Sequence, residues 1–78
     1  MKSKELSFRI VLRPEVEGGY TVIVPSLPGC ITYGDDIRQA REMARDAIKA
    51  YLKSMKKHRE KFRDDSDTVE AMLVMQYG

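Results

Sequence analysis

The sequence has 78 residues, which is enough for one domain with a modest core, so we expect a single domain over residues 1–78. Cys30 and His58 are the only cysteine and histidine, which excludes an internal disulfide and a four-ligand zinc site made by this chain alone. The formal net charge is +2, but residues 37–63 hold ten bases against three acids, and residues 64–78 hold four acids and no base.

The start of the chain is charged and then alternates between polar and apolar residues, without the apolar run of a secretory signal. No apolar stretch approaches the roughly 20 residues that a membrane helix needs. We therefore expect a cytoplasmic protein that does not enter a membrane. This small chain can form neither an internal disulfide nor a four-ligand zinc site to stabilise it. We therefore also expect it to be a homo-oligomer, a dimer or larger.

Three strands are predicted in the first half of the chain. Apolar and polar residues alternate from Leu6 until Pro14, a pattern typical of a half-buried strand. A Gly-Gly turn follows, and the β-branched and aromatic run at residues 20–24 predicts the second strand. Residues 30–33 form a short third strand. The connections are short, so these strands are predicted to be antiparallel neighbours.

A helix is predicted from about Ile37 to the late fifties. Asp36 as the N-cap and Gln39 three residues later form a capping box. Apolar residues recur behind them at spacings of three and four and make one stripe for the core: Ile37, Ala40, Ala44, Ala47, Ile48, Tyr51, Leu52 and Met55.

The last residues alternate again and predict a fourth strand, with apolar side chains on one face at Val69, Ala71, Leu73, Met75 and Tyr77. The element order is therefore β-β-β-α-β. One helix can cover only one face of such a sheet. Apolar residues are left for the other face, where they predict a self-association surface: Val11, Ile23, Met72 and Val74.

Residues with catalytic chemistry are few. Cys30 lies on a strand and His58 near the end of the helix, whereas a nucleophilic pair must be within hydrogen-bond reach. Asp35 and Asp36 fit helix capping better than metal binding. The acidic loop at 64–67 lacks the glycine and closing glutamate of a calcium loop. We expect a binding protein and no enzyme, with no metal and no cofactor.

One run of residues is a more specific sequence motif than any of its shorter parts. Val24-Pro25-Ser26-Leu27-Pro28-Gly29-Cys30, followed by Gly34-Asp35 and an alanine-rich helix, resembles the HicB family. These proteins are the antitoxins of HicA–HicB toxin–antitoxin pairs and their free-standing relatives. The resemblance runs from about Leu6 to Leu52, with the final strand in the expected place.

The resemblance implies a partial RNase H-like α+β fold. Its four-stranded mixed sheet has the order 3-2-1-4, with strand four beside strand one, and one long helix backs it. The relatives lack a working nuclease centre, in agreement with the apolar inner face of strand one. Many of them carry a further DNA-binding domain, which we do not expect in a sequence that ends just after strand four.

The resemblance also implies a partner, a HicA-type toxin that cleaves mRNA and whose active site the antitoxin masks. We expect the sheet, the Pro25–Cys30 turn or the acidic end of the chain to contact it, and not the basic Lys49–Arg63 stretch. The candidate contact residues are Tyr20, Pro25, Leu27, Pro28, Cys30 and Tyr33. Two alternatives remain open. The chain is either an interaction protein of this fold without a toxin, or a nucleic-acid binder that uses the basic residues of segment 49–63.

Overall fold

The structure, a computed structural model, describes residues 4–78. Its three strands are β1 (Val11–Pro14), β2 (Tyr20–Ile23) and β3 (Ile31–Gly34), and its helix is α1 (Ile37–Lys57). The strands form one antiparallel sheet in the order β1-β2-β3. Within residues 4–78, no helix combines the length and the apolar character that crossing a membrane requires.

The connection between β1 and β2 is short because two glycines accept backbone angles that other residues avoid. Gly18 and Gly19 have φ values of 106° and 76°. A Cβ at Gly19 would also overlap the hydroxyl of Tyr33, which donates a hydrogen bond of 2.8 Å to the carbonyl of Gly18. The turn is therefore tied to β3 as well as to the two strands it joins.

The predicted helix and its cap are confirmed. The carboxylate of Asp36 accepts a hydrogen bond from the Gln39 amide at 2.7 Å. The Gln39 side chain reaches back to the amide of Asp35, at 2.6 Å, one residue before the position that a capping box uses. The first bond satisfies a backbone donor that the first helical turn leaves free, and the second satisfies the amide just before the N-cap.

Helix α1 packs against β3 and β2 at very close range. A Cβ at Gly34 would overlap the backbone nitrogen and Cα of Ala40, so only glycine fits at this position of β3. Val22 contributes a fully buried side chain to the cluster that Ala40 and Ala44 complete. A second buried cluster, of Val24, Leu27 and Cys30, lies under the far half of the helix.

The first strand is shorter than predicted. Strand β1 begins at Val11 and not at Leu6, because its neighbour β2 ends at Ile23 and turns away at Pro25. Residues 7–9 therefore have no strand beside them on that side. Carboxylates from beyond the helix take the place of a strand there: Asp64 accepts from the Ser7 amide at 2.9 Å and Asp65 from the Arg9 amide at 2.8 Å.

The predicted fourth strand is wrong for this structure. The sheet has three strands, so the four-stranded, partial RNase H-like arrangement with order 3-2-1-4 is replaced by the order β1-β2-β3, and the general α+β class stands. Residues 69–78, which we call the tail, are exposed and unpaired within the described chain. The cause is local, because Thr68 donates two hydrogen bonds to Asp65 and closes a turn that leads the chain away from the sheet.

Candidate partner-binding face

The face of the sheet opposite α1 carries a short row of apolar side chains. Strand pairing places Val11, Ile23 and Ile31 side by side across the three strands. Tyr33 follows Ile31 on the same face, since alternate residues of a strand point to the same side. Val11, Ile31 and Tyr33 are 41%, 60% and 46% exposed. We call these four residues the partner-binding face.

Polar groups border this face at the β1–β2 turn. Thr21, which pairs with Tyr33, donates a hydrogen bond of 2.5 Å to the carboxylate of Glu15. Arg13 pairs with Thr21 on the other side, so a base, a hydroxyl and an aromatic ring form the next row of the sheet. An apolar strip with charged groups at its margin is the usual composition of a protein-binding surface.

The turn after β2 is held rigidly by its own backbone. Val24 donates to the carbonyl of Cys30 at 3.0 Å, Leu27 donates to Val24 at 3.0 Å, and Cys30 donates to Leu27 at 2.9 Å. The Tyr51 hydroxyl donates to the carbonyl of Pro28 at 2.7 Å and fixes the turn to α1. The outer side of this turn is therefore a preformed surface.

The six residues predicted to contact a partner do not share one surface. Pro25, Pro28 and Tyr33 are exposed. Leu27 and Cys30 are 1% and 5% exposed, because they fill the core beneath the turn. Tyr20 packs against the cluster on the helix side of the sheet, the opposite side from Tyr33. Partner binding by this set stays a prediction, with its exposed members as the available contacts.

The four residues predicted for self-association are also divided. Val11 and Ile23 are neighbours on the sheet, as expected. Met72 and Val74 lie in the tail, 91% and 89% exposed, and not beside them, because the tail forms no strand.

Sequence reasoning missed Ile31, the most exposed apolar residue of the sheet. The sequence did contain a sign of it, because alternate residues of a strand lie on the same face, which puts residues 31 and 33 together on β3. Only the register shows that Ile31 lies directly across from Ile23 and therefore extends the row begun by Val11.

Cys30 and His58, the two residues considered for a nucleophilic pair, lie in different environments. Burial raises the pKa of the Cys30 thiol and so favours its protonated form. His58 bonds to the carbonyl of Ser54 at 2.8 Å and makes no hydrogen bond to Cys30. Among residues 4–78, no group of three His, Cys, Asp or Glu side chains is placed to hold a metal ion.

The strongest pKa shift belongs to a structural carboxylate, Asp65. Hydrogen bonds from the Ser26 hydroxyl, the Arg9 amide and the Thr68 hydroxyl, in that order of effect, lower its pKa to about 2. Asp64 also has a lowered pKa, chiefly because it accepts from the Ser7 amide. These two residues, which we call the aspartate clasp, fasten the segment after α1 to the start of the sheet.

Comparison with known proteins assigns this arrangement to a family. The family model of the HicB-like antitoxin of bacterial toxin–antitoxin systems matches residues 8–77. The chain belongs to the HicB-like antitoxin family. The family resemblance that the Val24–Cys30 string indicated is thereby confirmed.

Individual relatives of this HicB-like chain include one that is named as an antitoxin. It is 37% identical over 65 residues to a UPF0150 protein of Thermoplasma acidophilum, which covers 82% of this chain and 94% of that protein. It is 39% identical over 51 residues to a UPF0150 protein of Archaeoglobus fulgidus, covering 65% of this chain and 74% of the relative. It is 42% identical over 45 residues to Antitoxin HicB 1 of Photorhabdus laumondii, covering 58% of this chain and 29% of that antitoxin.

For a HicB-like chain, the geometry on both sides of the sheet favours binding. The helix covers one side, and the other side presents the partner-binding face beside a rigid turn. Such a surface can exclude water from an apolar contact with another protein and occlude what it covers.

Proposed function

We propose that this chain is an antitoxin that neutralises a small HicA-type mRNA ribonuclease by covering its active site, and that it works by binding and not by catalysis. The observation that carries the proposal is the partner-binding face, an apolar strip that α1 leaves open in a member of an antitoxin family. The cytoplasm, where mRNA is cleaved, is the location this function requires.

The centre of the contact is Ile31 with Tyr33. An aromatic residue beside a well-exposed aliphatic one is the composition of an energetic hot spot, where truncation typically weakens binding by about 2 kcal/mol or more. The Tyr33 ring is already oriented by its hydrogen bond to Gly18. The contact therefore needs little ordering of side chains when a partner arrives.

Charge decides which part of the chain meets the toxin. A protein that binds RNA carries a basic surface, so its neutralising partner contacts it best through apolar and acidic groups. The partner-binding face is bordered by Glu15 and by Arg13, and the adjoining turn carries Glu17, so acidic groups outnumber the base there. The basic segment 49–63 is repelled by such a surface and is left in solvent.

Co-expression of this chain with the product of a neighbouring HicA-type gene tests the proposal. We expect the two proteins to copurify, and Ile31→Asp to abolish copurification because it places a carboxylate at the centre of the apolar contact. Ala50→Asp, which adds the same charge on an exposed part of α1, is the matched control and leaves the complex intact. If the wild-type chain forms no complex with such a toxin, the proposal fails.

A second candidate function is nucleic-acid binding by the basic residues that extend along the end of α1 and beyond it. These side chains are exposed, and none forms an ion pair with any residue among 4–78: Lys49, Lys53, Lys56, Lys57, Arg59, Lys61 and Arg63. Such binding is electrostatic and strongest at low salt. A mobility-shift experiment with short RNA and DNA duplexes at about 50 mM salt tests it, and the absence of any shift removes it.

We also propose that the chain self-associates. Its fully buried core is small, and the tail leaves large apolar side chains in water, with Leu73 and Met75 at 81% and 75% exposure. Association is the remaining way for a small chain without disulfides or metal to bury such surface.

A further inference from the structure

We propose that a cavity at the end of α1 takes an unstacked nucleobase of a single-stranded nucleic acid, whose phosphates are held by the basic side chains beside it. This inference rests on the second candidate function, nucleic-acid binding by segment 49–63, and not on the toxin partner. Three observations carry it: a cavity of suitable size, an exposed aromatic ring in its wall, and unpaired basic side chains on either side of that ring.

The cavity, which we call the post-helix cavity, lies between the turn after β2, the second half of α1 and the segment that follows the helix. Its volume is about 520 Å³, within the range of about 300–1,000 Å³ that is typical of small-ligand sites. Leu27, Pro28, Tyr51 and Met55 line one part of it. That part is fixed before a ligand arrives, because the Tyr51 hydroxyl donates to the carbonyl of Pro28 at 2.7 Å.

The end of α1 turns the chain back beside the helix. Glu60 donates to the carbonyl of Met55 at 2.8 Å and Arg59 to that of Lys56 at 3.1 Å, which are the two bonds of a Schellman motif. Arg59 has a φ of 58°, at the position where this motif usually has glycine. The reversal brings residues 61–63 to the cavity that Met55 also lines.

Phe62 supplies an aromatic ring to the wall of the post-helix cavity. The ring lies 6.0 Å from that of Phe8 between centroids, at an angle of 41°, which anchors it to the body of the protein. It is nevertheless 41% exposed. An anchored aromatic ring that stays accessible is the kind of platform on which proteins stack the unpaired bases of a single strand.

Basic side chains on both sides of this ring supply the charge that a nucleic-acid backbone requires. Lys61 and Arg63 line the cavity and are exposed, and neither forms an ion pair with any residue among 4–78. They belong to segment 49–63, in which Glu60 is the one acidic residue. A strand with one base in the cavity therefore places its phosphates beside unpaired positive charges.

Three carboxylates also line the cavity, and two of them are already occupied. Asp64 accepts from the Ser7 amide and Asp65 from the Arg9 amide, so both serve the aspartate clasp. Asp67 makes no hydrogen bond within the described chain. Its carboxylate is free to accept from the exocyclic amine of a nucleobase such as adenine, which an unpaired base presents on its Watson–Crick edge.

A duplex cannot use the post-helix cavity. Its bases are paired and stacked inside the double helix, so it meets only the basic side chains. A single strand offers the same phosphates and an accessible base as well. The aromatic ring therefore favours single strands, whereas the charge of segment 49–63 acts on both forms.

Fluorescence anisotropy of the full chain tests the inference with labelled adenine strands of about 12 nucleotides, as RNA and as DNA, and with a DNA duplex of the same length. We expect both single strands to bind at about 50 mM salt, because bases and phosphates are common to RNA and DNA. The ratio of the two affinities shows which strand the chain prefers.

Variants of the ring separate stacking from charge. Phe62→Leu removes the ring and keeps apolar bulk against Phe8, and we expect it to raise the Kd for both single strands about 10-fold while leaving that for the duplex unchanged. Phe62→Tyr keeps the ring and changes no affinity by more than about threefold. Tyr77→Leu, which removes a fully exposed ring outside the cavity, is the matched control and has no effect.

A pair of charge variants tests the phosphate contact. Arg63→Gln removes a positive charge at the cavity, and Arg41→Gln removes one that is also exposed, in the first half of α1. For Arg63→Gln we expect the slope of log affinity against log salt to become shallower by about 0.7, the loss of one phosphate contact with a single strand. For Arg41→Gln we expect no change, and equal slopes in the two variants would contradict a contact at the cavity.

The outcomes distinguish the post-helix cavity from the function on which it rests. If Phe62→Leu weakens single strands and duplex equally, or weakens neither, the cavity takes no base and the inference is overturned, while electrostatic binding of nucleic acid stands. If neither the single strands nor the duplex bind to the wild-type chain at this salt concentration, both are overturned.

Discussion

At the scale of single residues, the aspartate clasp shows how a short strand can end without leaving backbone groups unpaired. Strand β2 turns away at Pro25, and the carboxylates of Asp64 and Asp65 accept the amides that β2 no longer pairs. Polar groups at the rim of a sheet are satisfied in this way by side chains instead of by a further strand.

The clasp makes stability depend on pH in a defined window. The pKa of Asp65 falls from 3.8 to about 2 on folding, so the unfolded chain binds its proton more tightly than the folded one. The stabilisation is therefore fully present above about pH 4 and is lost as the pH falls towards 2. We expect the urea midpoint to decrease over this range.

Comparison of Asp65→Asn with Asp67→Asn isolates this effect. Asp67→Asn is the control, since its carboxylate makes no hydrogen bond within the described chain. Urea titrations between about pH 2 and 5 should show a smaller decrease for Asp65→Asn than for the wild type and an unchanged one for Asp67→Asn. An equal decrease in all three proteins would assign the acid sensitivity to other groups.

The close packing of Gly34 against the backbone of Ala40 leads to a second prediction for a single residue. Gly34→Ala forces a methyl group into the backbone of Ala40, so β3 and α1 must separate. We expect the free energy of unfolding to decrease by about 1–3 kcal/mol, as for other overpacked cores. Urea denaturation followed by circular dichroism measures it, and an unchanged midpoint would show that the two elements can shift apart freely.

At the scale of elements, the helix is specified by its own sequence. The cap, the apolar stripe and the basic last turn all predict the bounds that the structure has. We expect Asp36→Ala to lower the free energy of unfolding by about 1 kcal/mol, because the Gln39 amide loses its acceptor. Asp35→Ala is the matched control, since only the backbone of Asp35 takes part in the cap. Chemical denaturation that finds the two variants equally stable would contradict this account of the cap.

The strands were predicted less well than the helix, for a physical reason. Alternation identifies a segment that can be a strand, but pairing requires a neighbour with free backbone groups. Leu6 and Phe8 alternate correctly, yet they precede β1 because β2 has already turned away. The tail alternates as well, and the Thr68 turn leads it away from the sheet. The alternation within one segment does not show whether another strand lies beside it.

The candidate site was also predicted incompletely, because a sequence pattern does not show which side chains become neighbours. The sequence predicted Pro25, Pro28 and Tyr33, which are exposed, but it grouped them with Leu27 and Cys30, which fill the core. A conspicuous string of residues shows that a turn is special without showing which side chains face outward. Ile31 was missed because its neighbours across the sheet are set by register, which depends on all three strands.

At the scale of the whole molecule, the two sides of the sheet have different surroundings. Helix α1 covers one side, where the buried clusters lie, and the partner-binding face lies on the side that α1 leaves open. A substitution at Ile31 therefore changes the proposed toxin contact without entering the core, because this side chain is 60% exposed.

Growth rescue is the measurement that tests the central claim most directly. Cells that express the neighbouring HicA-type toxin are supplied with the wild-type chain, Ile31→Asp or Ala50→Asp at equal protein levels. We expect the wild type and Ala50→Asp to restore growth, and Ile31→Asp to fold but not to restore it. Full rescue by Ile31→Asp, or no rescue by the wild type, would contradict it.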